Sequence, residues 1–474
     1  MIQLILKIIG TATVAQPVVM SLFFIAYYVY MIRLSMRFPV AAVGMYFGTS
    51  IMNPQLSNPL LYGLPFAKFA AALCLLICLF NRKKIHFRLP PIYVLYVVFL
   101  LISLLCTFAS DDPSLAMKRF EEFNKLGVIM FLAFATVSAR EDYDQLFWFT
   151  LFAFWVNVGK NILETQTLGR WGSVHGSGGW IGDSNDWALA LAMSLPLFYH
   201  SIRHRWTDSA KKKAFMVLTL MSALLVMTIT SSRGAFLATA GSIGFLLVTE
   251  KNRMRTLKLL IPVVLIVAVY MPSSYTSQIK SIFTLSSQVD QTWEKGPGDT
   301  SEYTGVERVY FWHIAYEMMK EHPVTGLGWG NFQRVMKELT GNGVVAHSSW
   351  FQVGADAGML GLAVFIGLIL ASILHALRLV KRGGDSGDDW LRDHARVLVA
   401  GLIAFVIGGS FISRENSELL FLYIAMVPML SFAARNDPPE SAAETAQPER
   451  GKSRKGSLAV YGLPPELRPK AEGR

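Results

Sequence analysis

The 474-residue sequence is short of charged residues. Asp, Glu, Lys and Arg make up 16% of it, against about 25% in a typical soluble domain, whereas 53% of its residues are hydrophobic and the mean hydropathy is +0.39. Such a chain cannot cover itself with polar groups, which excludes an ordinary soluble globular protein. The period-2 alternation of a membrane β-barrel is lacking as well. We therefore predict an all-α membrane protein.

Cysteine is scarce, and the common catalytic signatures are missing. The three cysteines, Cys74, Cys78 and Cys106, fall in apolar runs, and no His or acidic residue accompanies them as a metal site would need. We interpret them as small core residues. The sequence contains no Walker motif, serine nucleophile elbow or HExxH motif. Neither a metal nor another cofactor is expected.

Apolar runs long enough to cross about 30 Å of hydrocarbon recur along the chain. They predict a polytopic bundle of about 12–13 transmembrane helices with one long helical periplasmic loop. The predicted spans are Val14–Ile32, Phe38–Met52, Leu64–Phe80, Ile92–Ala109, Lys125–Ser138, Leu146–Leu163, Asp186–Tyr199, Ala214–Ile229, Gly234–Val248, Leu257–Met271, Gly358–Leu377, Val397–Ile412 and Leu419–Phe432.

Lysine and arginine are concentrated in alternate connections between these spans. The basic connections include residues 82–88 and 203–213, whereas residues 53–63 contain no Lys or Arg and residues 164–184 contain only Arg170. Because cytoplasmic loops carry an excess of Lys and Arg, we place the basic connections in the cytoplasm and the other connections outside the membrane. The net charge of +11 then reflects topology and contact with anionic membrane lipids, and no nucleic-acid partner is expected.

The same pattern divides the chain into four segments. Residues 1–271 hold the N-terminal transmembrane helices, 272–356 a large periplasmic loop, 357–433 the C-terminal transmembrane helices, and 434–474 a polar tail expected to be disordered in the cytoplasm. Within the loop we predict a helix near residues 305–321. Thr304 and Glu307 have the spacing of a capping box, and Pro323 follows the predicted end.

Three ionisable residues lie where the membrane makes a charge costly, which marks them as functional candidates. Arg233 lies between two apolar spans, Arg308 lies in the first turn of the predicted loop helix, and His347 lies where the loop returns to the membrane. Each has a structural alternative. Arg233 could reach lipid headgroups, Arg308 could pair with Glu307, and His347 could be a hydrogen-bonded structural residue.

Neighbouring residues add binding capacity for an anion or a sugar. Arg308, Trp312 and Tyr316 share one face of the predicted helix, and a guanidinium beside aromatic rings suits a phosphate or sugar ligand. Asp183 and Asn185 open a predicted span, where they could cap the helix or hold sugar hydroxyls. A neutral His347 could accept a proton near pH 7.

Five stretches of the chain resemble one superfamily of membrane glycosyltransferases, the O-antigen ligases, O-antigen polymerases and bacterial protein O-oligosaccharyltransferases. They are SSRGAF at 231–236, ERVYFWHIAYEMMKEHPVTGLGWGNF at 307–332, AHSSWFQVGADAGMLGL at 346–362, IMNPQ at 51–55 and GDSNDWALALAMSLPL at 182–197. The last two resemble the exosortase-associated O-glycosylation ligase branch in particular.

The resemblance implies an inverting glycosyltransferase that moves a glycan from undecaprenyl pyrophosphate to an acceptor hydroxyl at the periplasmic face. It also implies that Arg233 and Arg308 bind the donor pyrophosphate and that His347 activates the acceptor. A lipid, another glycan or a protein could be the acceptor, so ligase, polymerase and oligosaccharyltransferase activities remain open, with the ligase favoured. A polysaccharide transporter or flippase and a structural or sensory membrane protein are the non-enzyme alternatives. Transport is disfavoured because the candidate residues gather at one external face rather than at mid-bilayer.

Overall fold

The computed structural model describes residues 2–86, 88–168, 174–203, 209–250, 253–254, 257–258, 261 and 305–437. Within these residues the chain forms α-helices and no β-strand. The helices are α1 (Ile2–Arg37), α2 (Val40–Met52), α3 (Pro54–Ser57), α4 (Phe66–Phe80), α5 (Pro91–Phe108), α6 (Pro113–Thr136), α7 (Arg140–Leu168), α8 (Ser184–Arg203), α9 (Ala210–Ile229), α10 (Arg233–Thr249), α11 (Gly305–Glu321), α12 (Asn331–Thr340), α13 (Ser349–Ser386), α14 (Asp389–Gly408) and α15 (Glu418–Asn436).

The all-α membrane class predicted from the sequence is confirmed. Twelve of the thirteen predicted spans coincide with a helix, and the other, Leu257–Met271, lies almost wholly outside the described residues. In the described part, six helices are long and apolar enough to cross a membrane, namely α1 (over Pro17–Arg37), α5, α7 (over Arg140–Leu163), α9, α13 and α15. The other helices at predicted spans are shorter or more polar, so the total of 12–13 stays a prediction.

The bundle is built around α15. Its side chains from Leu419 to Leu430 are buried on every side, as expected for a helix that is apolar all round. The Tyr423 hydroxyl donates to the Met193 carbonyl of α8 at 2.8 Å. A Cβ at Gly401 would lie 1.9 Å from the Tyr423 ring, so only glycine lets α14 pack this closely. The periphery is also apolar, with Leu22 of α1 61% exposed, as expected for a lipid-facing surface.

Polar contacts group the connections into the same two sets that the Lys and Arg pattern predicts. Among the connections predicted to be external, Ser110 Oγ donates to the Leu327 carbonyl at 3.1 Å. Among those predicted to be cytoplasmic, Lys84 Nζ donates to the Arg37 carbonyl at 3.0 Å. We call these the loop end and the basic end of the bundle. The assignment of the loop end to the periplasm stays a prediction.

Helices α11 and α12 cover the start of α13 at the loop end. Phe311, Ala315, Phe332, Met336 and Ala355 form a fully buried core between them. Helix α11 occupies the range in which the sequence predicts a loop helix. The first part of the predicted loop, residues 272–304, lies outside the described residues, and so does the tail from residue 438. Thr304 of the predicted capping box belongs to that first part.

A kink in α13 shapes the floor of this region. Gly358 has φ +69° within the helix, and Met359 N donates to the Pro323 carbonyl at 2.8 Å. A Cβ at Gly358 would lie 2.7 Å from the Pro323 oxygen, so this position needs glycine both for its φ and for its close approach. The turns of α13 before the kink therefore lie against α11 and α12. They begin at Ser349, two residues after His347.

Candidate active site

Arg233 begins α10 at the loop end. Ser232 caps the helix by accepting from the Ala235 N–H at 3.5 Å, and Ser231 before it has φ +59°. A Cβ at Gly234 would lie 3.0 Å from Phe411 Cβ, so the small residue after the arginine lets α10 start against the chain that follows α14. The SSRG sequence thus presents a guanidinium at a helix N-terminus, where anions are favoured.

Arg308 lies in the first turn of α11 and contacts the same part of the chain. Its Nη1 donates to the Phe411 carbonyl at 3.2 Å, and its buried Nε has no hydrogen-bond partner among the described residues. Burial lowers the pKa of Arg308, and the neighbouring positive charge of Arg233 lowers it further. Two guanidiniums therefore lie near each other, an arrangement that favours a bound anion.

His347 adopts a backbone conformation that is rare for a non-glycine residue, with φ +52°. Its ring lies 6.3 Å from the Phe311 ring of α11. Burial lowers its pKa to about 4, the charge of Arg308 acts in the same direction, and the charge of Asp183 opposes both. The imidazole is therefore neutral at pH 7 and able to accept a proton. A strained backbone at such a position is a common mark of a functional site.

The connection between α14 and α15, residues 409–417, joins these elements. Ser413 Oγ accepts from the Ser348 N–H at 3.0 Å, and Ser349 Oγ donates to the Ile412 carbonyl at 2.8 Å while accepting from the Arg414 N–H at 2.9 Å. This connection therefore contacts the residues next to His347 as well as Arg308 and Gly234. It fixes the three predicted site residues around one short segment.

Arg414 adds a third arginine at this end. Its guanidinium donates to the buried Asp186 carboxylate of α8, and this partner, with the nearby charge of Asp183, raises the pKa of Arg414 against the opposing effect of burial. Asp183 is exposed, and its charge acts on Arg308, His347 and Arg414. The site thus combines three arginines, a neutral histidine and two carboxylates.

Comparison with known families finds a match for the part of the chain that carries the predicted site. Residues 215–366 match the family model described as O-antigen ligase. This part of the chain is an O-antigen ligase domain. The resemblance to the O-antigen ligase superfamily is thereby confirmed for this part of the chain, and the domain supports a glycosyltransferase family of the O-antigen ligase type. Together with the apolar helices it indicates a multi-pass membrane protein. Its placement in the exosortase-associated branch stays a prediction.

The matches cover two separate parts of the chain. The O-antigen ligase domain contains Arg233, Arg308 and His347. Residues 19–175 match a family of unknown function (DUF5935), and Asp183, Asp186 and Arg414 lie outside both ranges. No curated protein matches the chain.

The other predicted binding residues of the site differ in their surroundings. In the O-antigen ligase domain, Trp312 Nε1 donates to the Ala346 carbonyl at 2.9 Å, and its ring stacks on Phe351, which places it in the wall beside His347. Tyr316 is 44% exposed and lies beside Lys320. Before the domain, the Asn185 N–H donates to Asp183 Oδ1 at 2.8 Å, so capping of α8 is one role of this pair. Sugar binding by these residues stays a prediction.

Asp356 and Glu307 are acidic residues that could orient His347 from their positions in the chain. Asp356 is bound elsewhere in the O-antigen ligase domain, since its carboxylate accepts from the Phe332 N–H at 3.1 Å and from Gln352 Nε2 at 2.9 Å. Gln352 Oε1 in turn accepts from the Ala346 N–H at 3.0 Å. Asp356 therefore supports the chain next to His347 through Gln352.

Arg414 was missed by sequence reasoning, although a signal was present. It lies in the short connection SRENSE between two apolar spans, as Arg233 does between its own two spans. The argument that selected Arg233, a charge with almost no loop to carry it from the bilayer, selects Arg414 equally well.

Proposed function

We propose that this protein is an inverting glycosyltransferase of the ligase type, which moves a glycan from an undecaprenyl-pyrophosphate donor to an acceptor hydroxyl at the periplasmic face of the bacterial inner membrane. The observation that carries the proposal is the convergence of three parts of the chain on residues 409–417: Arg308 and Gly234, next to Arg233, contact Phe411, and Ser348, next to His347, contacts Ser413. We also propose that the reaction needs no metal ion.

The two arginines would hold the donor. As the bond between the anomeric carbon and the pyrophosphate oxygen breaks, negative charge develops on the leaving undecaprenyl pyrophosphate. Two permanently charged guanidiniums at a partly buried site stabilise that charge more than they would in water. Arg233 also lies at a helix N-terminus, whose dipole acts in the same direction.

His347 would accept the proton of the acceptor hydroxyl as its oxygen attacks the anomeric carbon. The attack occurs on the face opposite the leaving group, so the configuration at that carbon inverts. Arg308 lowers the pKa of His347 in the protein alone. The negative charge of a bound pyrophosphate would offset Arg308 and raise the pKa of His347, which makes it a stronger base when the donor is present.

The test uses purified protein and cells that make a matching donor. We would measure binding of an undecaprenyl-pyrophosphate glycan to wild type, Arg233→Ala, Arg308→Ala and His347→Ala, with Lys320→Ala of the same external helix as a matched control. We expect the two arginine variants to lose donor binding, and His347→Ala to bind donor but transfer at least about a hundredfold more slowly. Normal binding and transfer by all three variants would overturn the proposal.

Product analysis distinguishes the alternatives for the acceptor. A ligase attaches the glycan to a different lipid or glycolipid, a polymerase lengthens the donor-linked glycan itself, and an oligosaccharyltransferase modifies a protein Ser or Thr. We expect a glycan on a new acceptor rather than a longer donor. Movement of the intact donor across a vesicle membrane, without transfer of its glycan, would support the transporter alternative instead.

A further inference from the structure

Two segments of the chain run from the candidate active site to a second polar cluster. One leads from Asp186 back to Trp180, and the other leads from Arg414 on to Glu418. They meet at Ser50 of α2, which accepts from Trp180 Nε1 at 3.0 Å and lies beside the Glu418 carboxyl group. We call the group formed by Ser50, Asn53, Glu122, Trp180, Asn416 and Glu418 the Ser50 cluster.

The cluster contains buried acceptor oxygens without donors. Asn53 is 6% exposed, and its Oδ1 has no hydrogen-bond partner among the described residues. Glu418 Oε2 is likewise buried without a partner in the described part of the chain. Asn53 belongs to the same place because a Cβ at Gly179, next to Trp180, would lie 2.9 Å from Asn53 Nδ2. A buried acceptor left without a donor is unfavourable, so a ligand with donor groups would stabilise the cluster.

The cluster opens to solvent on the side of α6. Glu122 Oε2 accepts from Asn416 Nδ2 at 3.1 Å and from Arg119 Nη1 at 3.0 Å. The side chains of Arg119 and Glu122 are 37% and 44% exposed. Glu415, next to Asn416, is a further buried acceptor whose Oε2 has no partner among the described residues, and burial raises its pKa to about 7. A ligand could therefore enter from this side and meet several acceptor oxygens beside an indole ring.

The chemistry of the cluster limits what it could bind. Carboxylate and amide oxygens accept from hydroxyl groups, and the face of an indole packs against the apolar face of a sugar ring. The exposed Glu122 carboxylate at the open side would repel an acidic sugar. The cluster also shares its two chain segments with the charged site, since Trp180 lies six residues before Asp186 and Glu418 lies four residues after Arg414.

We propose that the Ser50 cluster is the subsite for the sugar next to the donor pyrophosphate, and that it selects a neutral or amino sugar over an acidic one. The inference rests on the proposed function, since it places that sugar relative to a pyrophosphate bound by Arg233 and Arg308. Asn53 and Glu418 would each accept a hydrogen bond from a sugar hydroxyl or amide.

The test compares three probes in detergent, namely undecaprenyl pyrophosphate alone, the same lipid carrying one N-acetylglucosamine, and the same lipid carrying one glucuronic acid. The variants are Glu418→Gln, which replaces the unpartnered oxygen by an amide of equal size, and Asn53→Gly, which tolerates the observed φ of +44°. Glu317→Gln on the external helix is the matched control. Thermal unfolding of each variant shows whether it is folded.

We expect wild type and Glu317→Gln to bind the N-acetylglucosamine lipid more tightly than the bare lipid, and the glucuronic acid lipid no more tightly. Each cluster variant should lose about twofold to tenfold in affinity for the N-acetylglucosamine lipid and none for the bare lipid. Equal binding of all three probes by wild type, or a uniform loss for all three in the variants, would overturn the subsite. Failure of wild type to bind the bare lipid would instead refute the proposed donor.

Discussion

The two ends of the bundle use arginine differently. At the basic end, Arg396 donates to Glu250 at 3.1 Å with both side chains under 5% exposed, and Arg140 makes two hydrogen bonds to Asp388, at 2.6 and 2.9 Å. At the loop end, Arg308 donates to a backbone carbonyl and lies near the like charge of Arg233. These two arginines of the basic end are paired with carboxylates, whereas the loop end, which has paired arginines as well, also brings two arginines together.

The difference teaches how to separate structural arginines from ligand-binding ones. An arginine paired with a carboxylate is already neutralised, so its charge serves the fold. Two neighbouring guanidiniums repel each other, and the arrangement becomes favourable when an anion binds between them. Burial alone does not distinguish them, because Arg308 is partly buried as well.

The largest effect on stability is expected at the basic end. Arg396→Met leaves Glu250 buried without its guanidinium, so we expect the free energy of unfolding to fall by about 3–5 kcal/mol. Denaturant unfolding in detergent measures it. The double variant Arg396→Met/Glu250→Leu should recover most of the loss, because an apolar pair can replace a buried ion pair. A double variant as unstable as the single one would mean that Arg396 acts through its bonds to Thr249 and the Leu246 carbonyl instead.

Arg308→Gln is the matching change at the loop end. We expect transfer to fall by about 10²–10³-fold, because one donor to the developing charge on the leaving pyrophosphate is lost. The free energy of unfolding should change by less than about 1 kcal/mol, since repulsion from Arg233 is removed together with one hydrogen bond to a carbonyl. Single-turnover assays and denaturant unfolding measure the two quantities. A variant that is unstable but fully active would place Arg308 with the structural arginines.

Much of the fold was accessible from the sequence because apolar length decides where a membrane helix can lie. The helix boundaries were harder to predict. Helix α6 begins at Pro113, well before the predicted span at Lys125, because Asp112 accepts from the N–H groups of Ser114 and Leu115 and caps a polar first stretch that hydropathy does not mark. Helix α13 begins at Ser349 rather than Gly358, since the kink at Gly358 lets its first turns lie under α11.

The residues of the candidate site could be predicted from the sequence only in part. Arg233, Arg308 and His347 could be chosen from their positions near the membrane face, and the structure brings these parts of the chain to the connection formed by residues 409–417. The pairing of Arg414 with Asp186 joins residues 228 positions apart, and no periodicity or spacing indicates such a contact. The Ser50 cluster is assembled in the same way from four separate parts of the chain.

Asp186→Asn tests whether location or pairing decides the role of an arginine, because Arg414 lies at the loop end yet is paired. Asparagine keeps the shape and an acceptor oxygen but removes the charge. We expect the free energy of unfolding to fall by about 1–2 kcal/mol and transfer to fall about tenfold, through displacement of the segment around Phe411. Unfolding and transfer assays are again the measurements. A loss of transfer as large as that of Arg308→Gln, with unchanged stability, would make Arg414 a third ligand for the anion.

The smallest effects are shifts along the pH axis. Because the pKa of His347 is lowered to about 4, the imidazole accepts protons throughout the neutral range, and kcat/KM should fall only as the pH falls through about 4. The positive charge of Arg308 lowers the pKa of His347. Arg308→Gln removes that charge, so the acid limb of this variant's kcat/KM–pH profile should move to higher pH. The negative charge of Asp183 raises the pKa of His347. Asp183→Asn removes that charge, so the acid limb of this variant's profile should move to lower pH. Opposite shifts would show that both charges act on His347 across the site. Shifts in the same direction would mean that the variants act by changing the burial of the imidazole, which is the larger cause of its low pKa.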